Sequence, residues 1–294
     1  MSFRVTNSMQ LAAAQQNIQS SAARLYQLDQ EASTGIAISK PSDDPAGTAQ
    51  LLQIQQTLAR NTQYQRNAAD GTAWLSTAGG ALSSANTALT QLRDLVVQAA
   101  NTATASPTSQ QAAAQQMQAI KQTLLSLANT QYQGRSVFAG TSDASAAFTA
   151  SYAFTGTAGS SVQRRVGTDS TVRVDVDGSS VFGSGGSSIF SLIDSLSAAV
   201  TSGGNVGSQL GAIDTYLTNV QNAESTVGTA QNQMTAATTA LTNQSTQLQA
   251  SQTGLQDVDS AQVILEMQTQ QVAYQTALAV TAKSIQPTLM DYLK

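Results

Sequence analysis

VGSQLGAIDTYLTNVQNAESTVGTAQNQMTAATTALTNQSTQLQASQTGL, residues 206–255, carries an apolar side chain at every seventh position: Val206, Ile213, Val220, Val227, Met234, Leu241, Leu248 and Leu255. A seven-residue apolar repeat keeps one side of an α-helix turned to a partner, so this stretch reads as a coiled-coil seam. Burying each such side chain contributes about 1.5–3 kcal/mol, enough for the seam to hold a helical rod together. The companion positions four residues on are apolar only upstream, at Leu210 and Leu217, and become Glu224, Gln231, Thr238, Ser245 and Gln252 further along. Those polar companions are expected to fix register or to face another subunit.

A seam needs an opposing helix, and the first half of the chain supplies one. Leu51, Ile54, Leu58, Asn61, Gln65, Ala68, Thr72, Leu75, Ala78, Leu82, Ala85, Leu89, Leu92, Val96 and Ala99 follow steps of three and four. This predicts a rod about 70 Å long. Gly79-Gly80 interrupts it, and a local bend or break is expected there. Trp74, the lone tryptophan, stands beside the stripe and reads as core. After a turn at Pro107, Ala113, Met117, Ile120, Leu124 and Leu127 predict a third helix, ending by Gly134 and folded back antiparallel to the rod.

The ends of the chain each add one more helix, separated from the rod by a loop. Leu11, Ala14, Ile18, Ser21, Leu25, Leu28 and Ala32 make one narrow stripe from about residue 7 to residue 33, which wants a partner because an isolated helix of this length is marginal in water. The loop that follows, STGIAISKPSDDPAGT at 33–48, concentrates Gly35, Pro41, Asp43, Asp44, Pro45 and Gly47. Gly35 ends the first helix and Pro45 starts the rod. The Asp pair reads as helix caps rather than a metal site, because carboxylates there satisfy orphan N–H groups and the helix dipole. A second hinge is expected at Gly254, Asp257 and Asp259, followed by a final helix over about 258–292. That helix carries two apolar rows: Ala261, Leu265, Val272 and Ala279, and Ile264, Met267, Tyr274, Leu278, Ile285 and Leu289. Two rows mean two partners, expected to be the N-terminal helix and a neighbouring subunit.

Between 141 and 188 the heptads vanish and Gly, Ser, Thr and alternating Val take over. Short strands are expected at 151–155, 161–166 and 171–176, with Asp177-Gly178 as a hairpin turn. Their core would draw on Phe148, Tyr152, Phe154, Val162, Val166, Val172, Val174, Val176 and Phe182, leaning on a helix over 189–200. The Gly-rich run at 182–186 lacks the strand, helix and lysine of a phosphate loop and reads as linker. The fold is therefore mainly α: a long antiparallel coiled-coil bundle with its terminal helices paired and a small β-rich insertion. Three domains are expected: 1–45 with 255–294, 46–135 with 204–254, and 136–203.

Composition narrows the function. The 294 residues include no Cys and no His, which removes disulfides, thiolate metal sites and the usual general base. The only glutamates, Glu31, Glu224 and Glu266, are far apart, so an enzyme is not expected, and no cofactor either. Only 10% of residues are charged and the net charge is −4, which offers no basic stripe for nucleic acid. Gln, Ser, Thr, Asn and Ala hold the surface positions, so helices can pack against copies of themselves with little charge desolvation. Residues 1–9, MSFRVTNSM, lack the apolar region of a secretory signal, and no apolar run approaches a membrane span.

The loop at 33–48, with RNAADG at 66–71, VQAANT at 97–102, LQDVDSA at 255–261 and LMDYL at 289–293, resembles the flagellin family of bacterial axial proteins over nearly the whole chain. Within that family, KPSDDPAG at 40–47 and NTQYQGRSVFAG at 129–140 are similar to the members that join hook to filament, whereas filament subunits usually carry DDAAG in the loop. The family's C-terminal QLS is QPT here, at 286–288. The resemblance implies a structural role at the hook–filament junction of the flagellum, outside the cell. It further implies export through the flagellar type III channel on an uncleaved signal. Implied partners are hook-associated protein 1, flagellin, copies of the chain itself in a ring or helical layer, and an export chaperone held by Ile264, Met267, Tyr274 and Leu278; neither nucleic acid nor membrane is implied. A filament flagellin is the alternative, and a secreted coiled-coil binding or translocator protein the one from another class.

Overall fold

The computed structural model describes residues 7–101 and 106–285. Its helices are α1 (Asn7–Thr34), α2 (Pro45–Asn101), α3 (Pro107–Ala128), α4 (Gly178–Phe182), α5 (Ile189–Thr201), α6 (Leu210–Gln256) and α7 (Ser260–Ile285). Two short antiparallel pairs join them, β1 (Gln131–Tyr132) with β2 (Arg135–Ser136) and β3 (Gln163–Arg165) with β4 (Thr171–Arg173). The chain divides into two compact units, residues 1–59 with 245–294, and residues 60–244.

In the larger unit α2 and α6 run antiparallel, as Arg93 meeting Asp214 at 2.7 Å and Gly79 lying under Val227 require. Val206, Ile213, Val220, Val227, Met234 and Leu241 are all buried. Of the polar companions four residues on, Glu224, Gln231, Ser245 and Gln252 are half-buried and Thr238 is exposed. Alanine three residues on adds a second row to the seam, with Ala223 and Ala230 buried and Ala237 half-buried. On α2 the stripe passes through Gly71 rather than Thr72, which is exposed. A Cβ on Gly71 would lie 2.5 Å from the Met234 Cε, so the glycine makes the socket for that methionine. The break expected at Gly79-Gly80 does not occur: α2 is unbroken through both. Each glycine costs a helix about 1 kcal/mol, and the burial of Ala78, Ala81, Leu82 and Ala85 around them outweighs it.

Ser106 caps α3 by accepting from the Ser109 N–H, Pro107 takes the first helical position, and Met117 and Leu124 are fully buried. The helix ends at Ala128, not at Gly134, because Gln133 and Gly134 both have positive φ and form the tight turn of the β1–β2 hairpin. Asn129 holds the next segment, accepting from the Phe148 N–H at 2.8 Å and donating to its carbonyl at 3.1 Å. Trp74 is core as expected, edge-on to Tyr132 at 5.8 Å, with the Arg164 guanidinium 5.8 Å from its ring. Arg164 also meets Asp70 at 2.7 Å, which straps the β3–β4 hairpin to α2.

The insertion packs around Phe138, Phe148, Phe182 and Phe190, whose rings meet edge to face or stacked at 5.4–6.2 Å. Two sequence expectations fail here. Residues 151–155 are not a strand: Tyr152 sits at φ +66 in a turn closed by a Phe148–Phe154 bridge. Asp177-Gly178 is not a hairpin turn: the Asp177 carboxylate accepts from the Ser179 N–H and caps α4. Gly178 is needed for a close approach, since a Cβ would stand 2.9 Å from the Phe138 carbonyl oxygen. Asp194 on α5 collects Lys121 Nζ at 2.6 Å, Gln118 Nε2 at 3.0 Å and Tyr152 Oη at 2.6 Å, tying α3 and the insertion to one carboxylate. Burial alone would raise that carboxyl's pKa, but these hydrogen bonds together hold it below the ordinary value.

Candidate assembly interface

Within the smaller unit, α1 and α7 lie antiparallel. The Arg24 guanidinium meets Glu266 at 3.3 Å, and Gln270 Nε2 donates to the Ser21 carbonyl at 3.3 Å. Leu28 and Val263 are buried between the helices; Ile18 and Leu25 are half-buried and Leu11 is exposed. The inward face of α7 is Val263, Met267, Gln270, Tyr274 and Ala277. Only Met267 and Tyr274 of this face belong to the rows read from sequence. Val263 was missed because Gln270 breaks its row, although the three- and four-residue spacing is present.

The remaining described apolar side chains of α7 point to solvent. Leu265 is 65% exposed, Val272 64% and Val280 61%, with Ile264 and Leu278 also exposed. Met9, Leu11 and Tyr26 do the same on α1. The pair thus presents apolar surface on both helices, an arrangement suited to binding and to no chemical step. Leu289 and the side chain of Ile285 lie outside the described residues.

The first loop is built rather than slack. Gly35 leaves α1 at φ +71, its N–H donating to Glu31 O at 2.9 Å. Pro41 takes the second position of a turn in which the Asp43 N–H donates to Lys40 O at 3.0 Å. The Asp43 carboxylate accepts from the N–H groups of Lys40 at 2.9 Å and Ser39 at 3.2 Å, and from the Ser39 hydroxyl. The Lys40 hydrogen bond leads in holding its pKa below the ordinary value. Asp44 caps α2 by accepting from the Ala46 N–H at 3.0 Å, and Pro45 is the first helical residue. Gly47 is buried where a Cβ would stand 2.5 Å from Ile38 Cδ1. The second break falls at Asp257–Asp259. Gly254 stands inside α6 and ends nothing, while Asp259 caps α7 through the Ala261 N–H at 2.9 Å. Leu248 is half-buried on α6. Among the described residues no group of three acidic side chains is placed to hold a metal, and no helix is long and apolar enough to cross a membrane.

Comparison with known proteins agrees with this architecture. The model of the bacterial flagellin N-terminal helical region matches residues 5–143, and that of the bacterial flagellin C-terminal helical region matches 210–293. A flagellin of Halalkalibacterium halodurans is 26% identical over 256 residues, 86% of this chain and 85% of that protein. The flagellar hook-associated protein 3 of Salmonella typhimurium is 32% identical over 139 residues, 47% of this chain and 44% of that protein. The crystal structure of FlgL from Bacillus cereus superposes with a TM-score of 0.60 at 24% identity, over 68% of this chain and 99% of that one, which shows a shared fold.

Proposed function

The chain belongs to the flagellin family, and from that premise we propose that it is the structural adaptor between the flagellar hook and the filament. The observation that carries this reading is the 32% identity to a hook-associated protein 3. It is supported by KPSDDPAG and NTQYQGRSVFAG at 40–47 and 129–140. The mechanism is assembly: apolar side chains on α1 and α7 are covered by neighbouring subunits, and no bond is made or broken. The partners proposed are further copies of the chain, a hook-side axial protein equivalent to hook-associated protein 1, and flagellin on the distal side. Leu11, Ile264, Leu265, Val272 and Leu278 are proposed to make the contacts.

A strain lacking the gene is expected to build hooks and secrete flagellin monomers without filaments. Immunogold labelling is expected in a narrow band beyond the hook. Normal filaments in the deletion strain, or label along the whole filament, would instead favour a filament subunit, the reading supported by the flagellin match over 86% of the chain.

A further inference from the structure

The two loops that interrupt the terminal helices are joined by the main chain. Ile36 faces Asp257 in an antiparallel bridge, the Ala37 N–H donates to Gln256 O at 2.7 Å, and the Val258 N–H donates to Gly35 O at 3.1 Å. Both bonds flank the Ile36–Asp257 pair, which makes it the close, non-hydrogen-bonded kind, with Cα atoms about 4.5 Å apart. The bridge is placed where α1 ends and α7 begins. On one side Gly35 turns the chain out of α1, and on the other Asp259 caps α7. All of these groups belong to one compact unit.

We propose that this bridge is a register lock for the terminal helices, so that α1 and α7 can become ordered only together and in one alignment. Two polar contacts cross between the helices, Arg24 to Glu266 and Gln270 to the Ser21 carbonyl, but the apolar contact specifies alignment weakly. Leu28 is the one residue of α1 whose side chain is fully buried among those described, and the facing row on α7 is interrupted by Gln270. A slip of one residue would turn the face of α7 by about 100° and carry Val263 and Met267 out of the contact. The bridge forbids that slip with the backbone groups of residues 35, 37, 256 and 258, whatever side chains stand at 36 and 257. It also holds the roots of two helices together that are more than two hundred positions apart in the chain, so pairing becomes a local event with a high effective concentration. The lock does not depend on where in the flagellum the chain acts.

The chain has no cysteine, so introduced thiols report without background. In the full-length protein, Ile36→Cys with Asp257→Cys is expected to form an intramolecular disulfide under mild oxidation about tenfold faster than Ile36→Cys with Ser260→Cys, a pair displaced by three residues. Equal rates would overturn the register claim. Coupling is read by hydrogen exchange in α1 and α7. If the helices exchange freely in the reduced chain, the disulfide must slow exchange in both. If they are already protected, Val258→Pro, which removes the donor to Gly35 O, must expose both, with Val258→Ala as the control that keeps the N–H. A change confined to one helix, or to neither, overturns the proposal.

Discussion

Single residues set the tolerances of this molecule, and glycines show it most directly. Gly178 opens the short α4 and Gly80 lies inside α2, and their surroundings differ sharply. A methyl at 178 would meet the Phe138 carbonyl oxygen at 2.9 Å, whereas nothing lies within 4 Å of one at 80. Gly178→Ala is therefore expected to cost about 1–3 kcal/mol, and Gly80→Ala to stabilise α2 by about 1 kcal/mol. Chemical denaturation of the two variants checks both signs. Asp194 makes a prediction in pH. Its pKa lies below the ordinary 3.8, so its contribution to stability is present above that value and is lost as pH falls through the lower folded value. Asp194→Asn is expected to lower the melting temperature at pH 7 and to converge on the parent protein in acid. Parallel melts from pH 7 downward test this, and a gap that stays constant would contradict it. Because the carboxylate is 39% exposed, solvent screening keeps the effect modest.

At the scale of elements, the α2–α6 seam buries a continuous apolar row, Val206 to Leu241. Val220 and Val227 are 0% and 3% exposed, and Val227 packs over Gly79 of α2, which offers no charge to pair with. Replacing both by Asp is expected to bury unpaired charge at a cost of several kcal/mol. Thermal melting followed by circular dichroism should fall by many degrees, and an unchanged melt would place those positions in water. Ala223 and Ala230 are buried beside the seam, and along helices so poor in large side chains the many small dispersion contacts accumulate.

For the whole molecule the decisive property is apolar surface left uncovered. Leu265→Gln with Val272→Gln removes two side chains that are 65% and 64% exposed, so the melt of the isolated chain should move by no more than about 0.5 kcal/mol equivalent. The same variant is expected to fail to restore filaments in the deletion strain. Restored filaments would show that this face is not an assembly surface. We further expect the helices of residues 7–34 and 260–285 to gain hydrogen-exchange protection on polymerisation, because ordering each residue costs about 1–2 kcal/mol of backbone entropy that neighbouring subunits must offset. Strong protection of residues 265–282 in the free chain would refute that coupling.

The sequence by itself determined the long helices, their seam and the family. A seven-residue repeat and the loop at 33–48 are local signals that survive whatever surrounds them. It also placed the start of α2 at Pro45 and the end of α1 at Gly35, where one residue's backbone preference decides the outcome. Tertiary structure decided the rest. Asp177-Gly178 has the composition of a hairpin turn, but the approach of Phe138 made it a helix cap. Gly79-Gly80 has the composition of a break, but burial of the residues around it kept α2 whole. Of the second hinge, Asp257 and Asp259 lie at the break as expected, but Gly254 stayed helical, and the pairing of residue 36 with residue 257 marks where the break falls. In each case a contact distant in the chain was worth more than the roughly 1 kcal/mol that separates local conformations, and no reading of neighbours along the sequence registers such a contact.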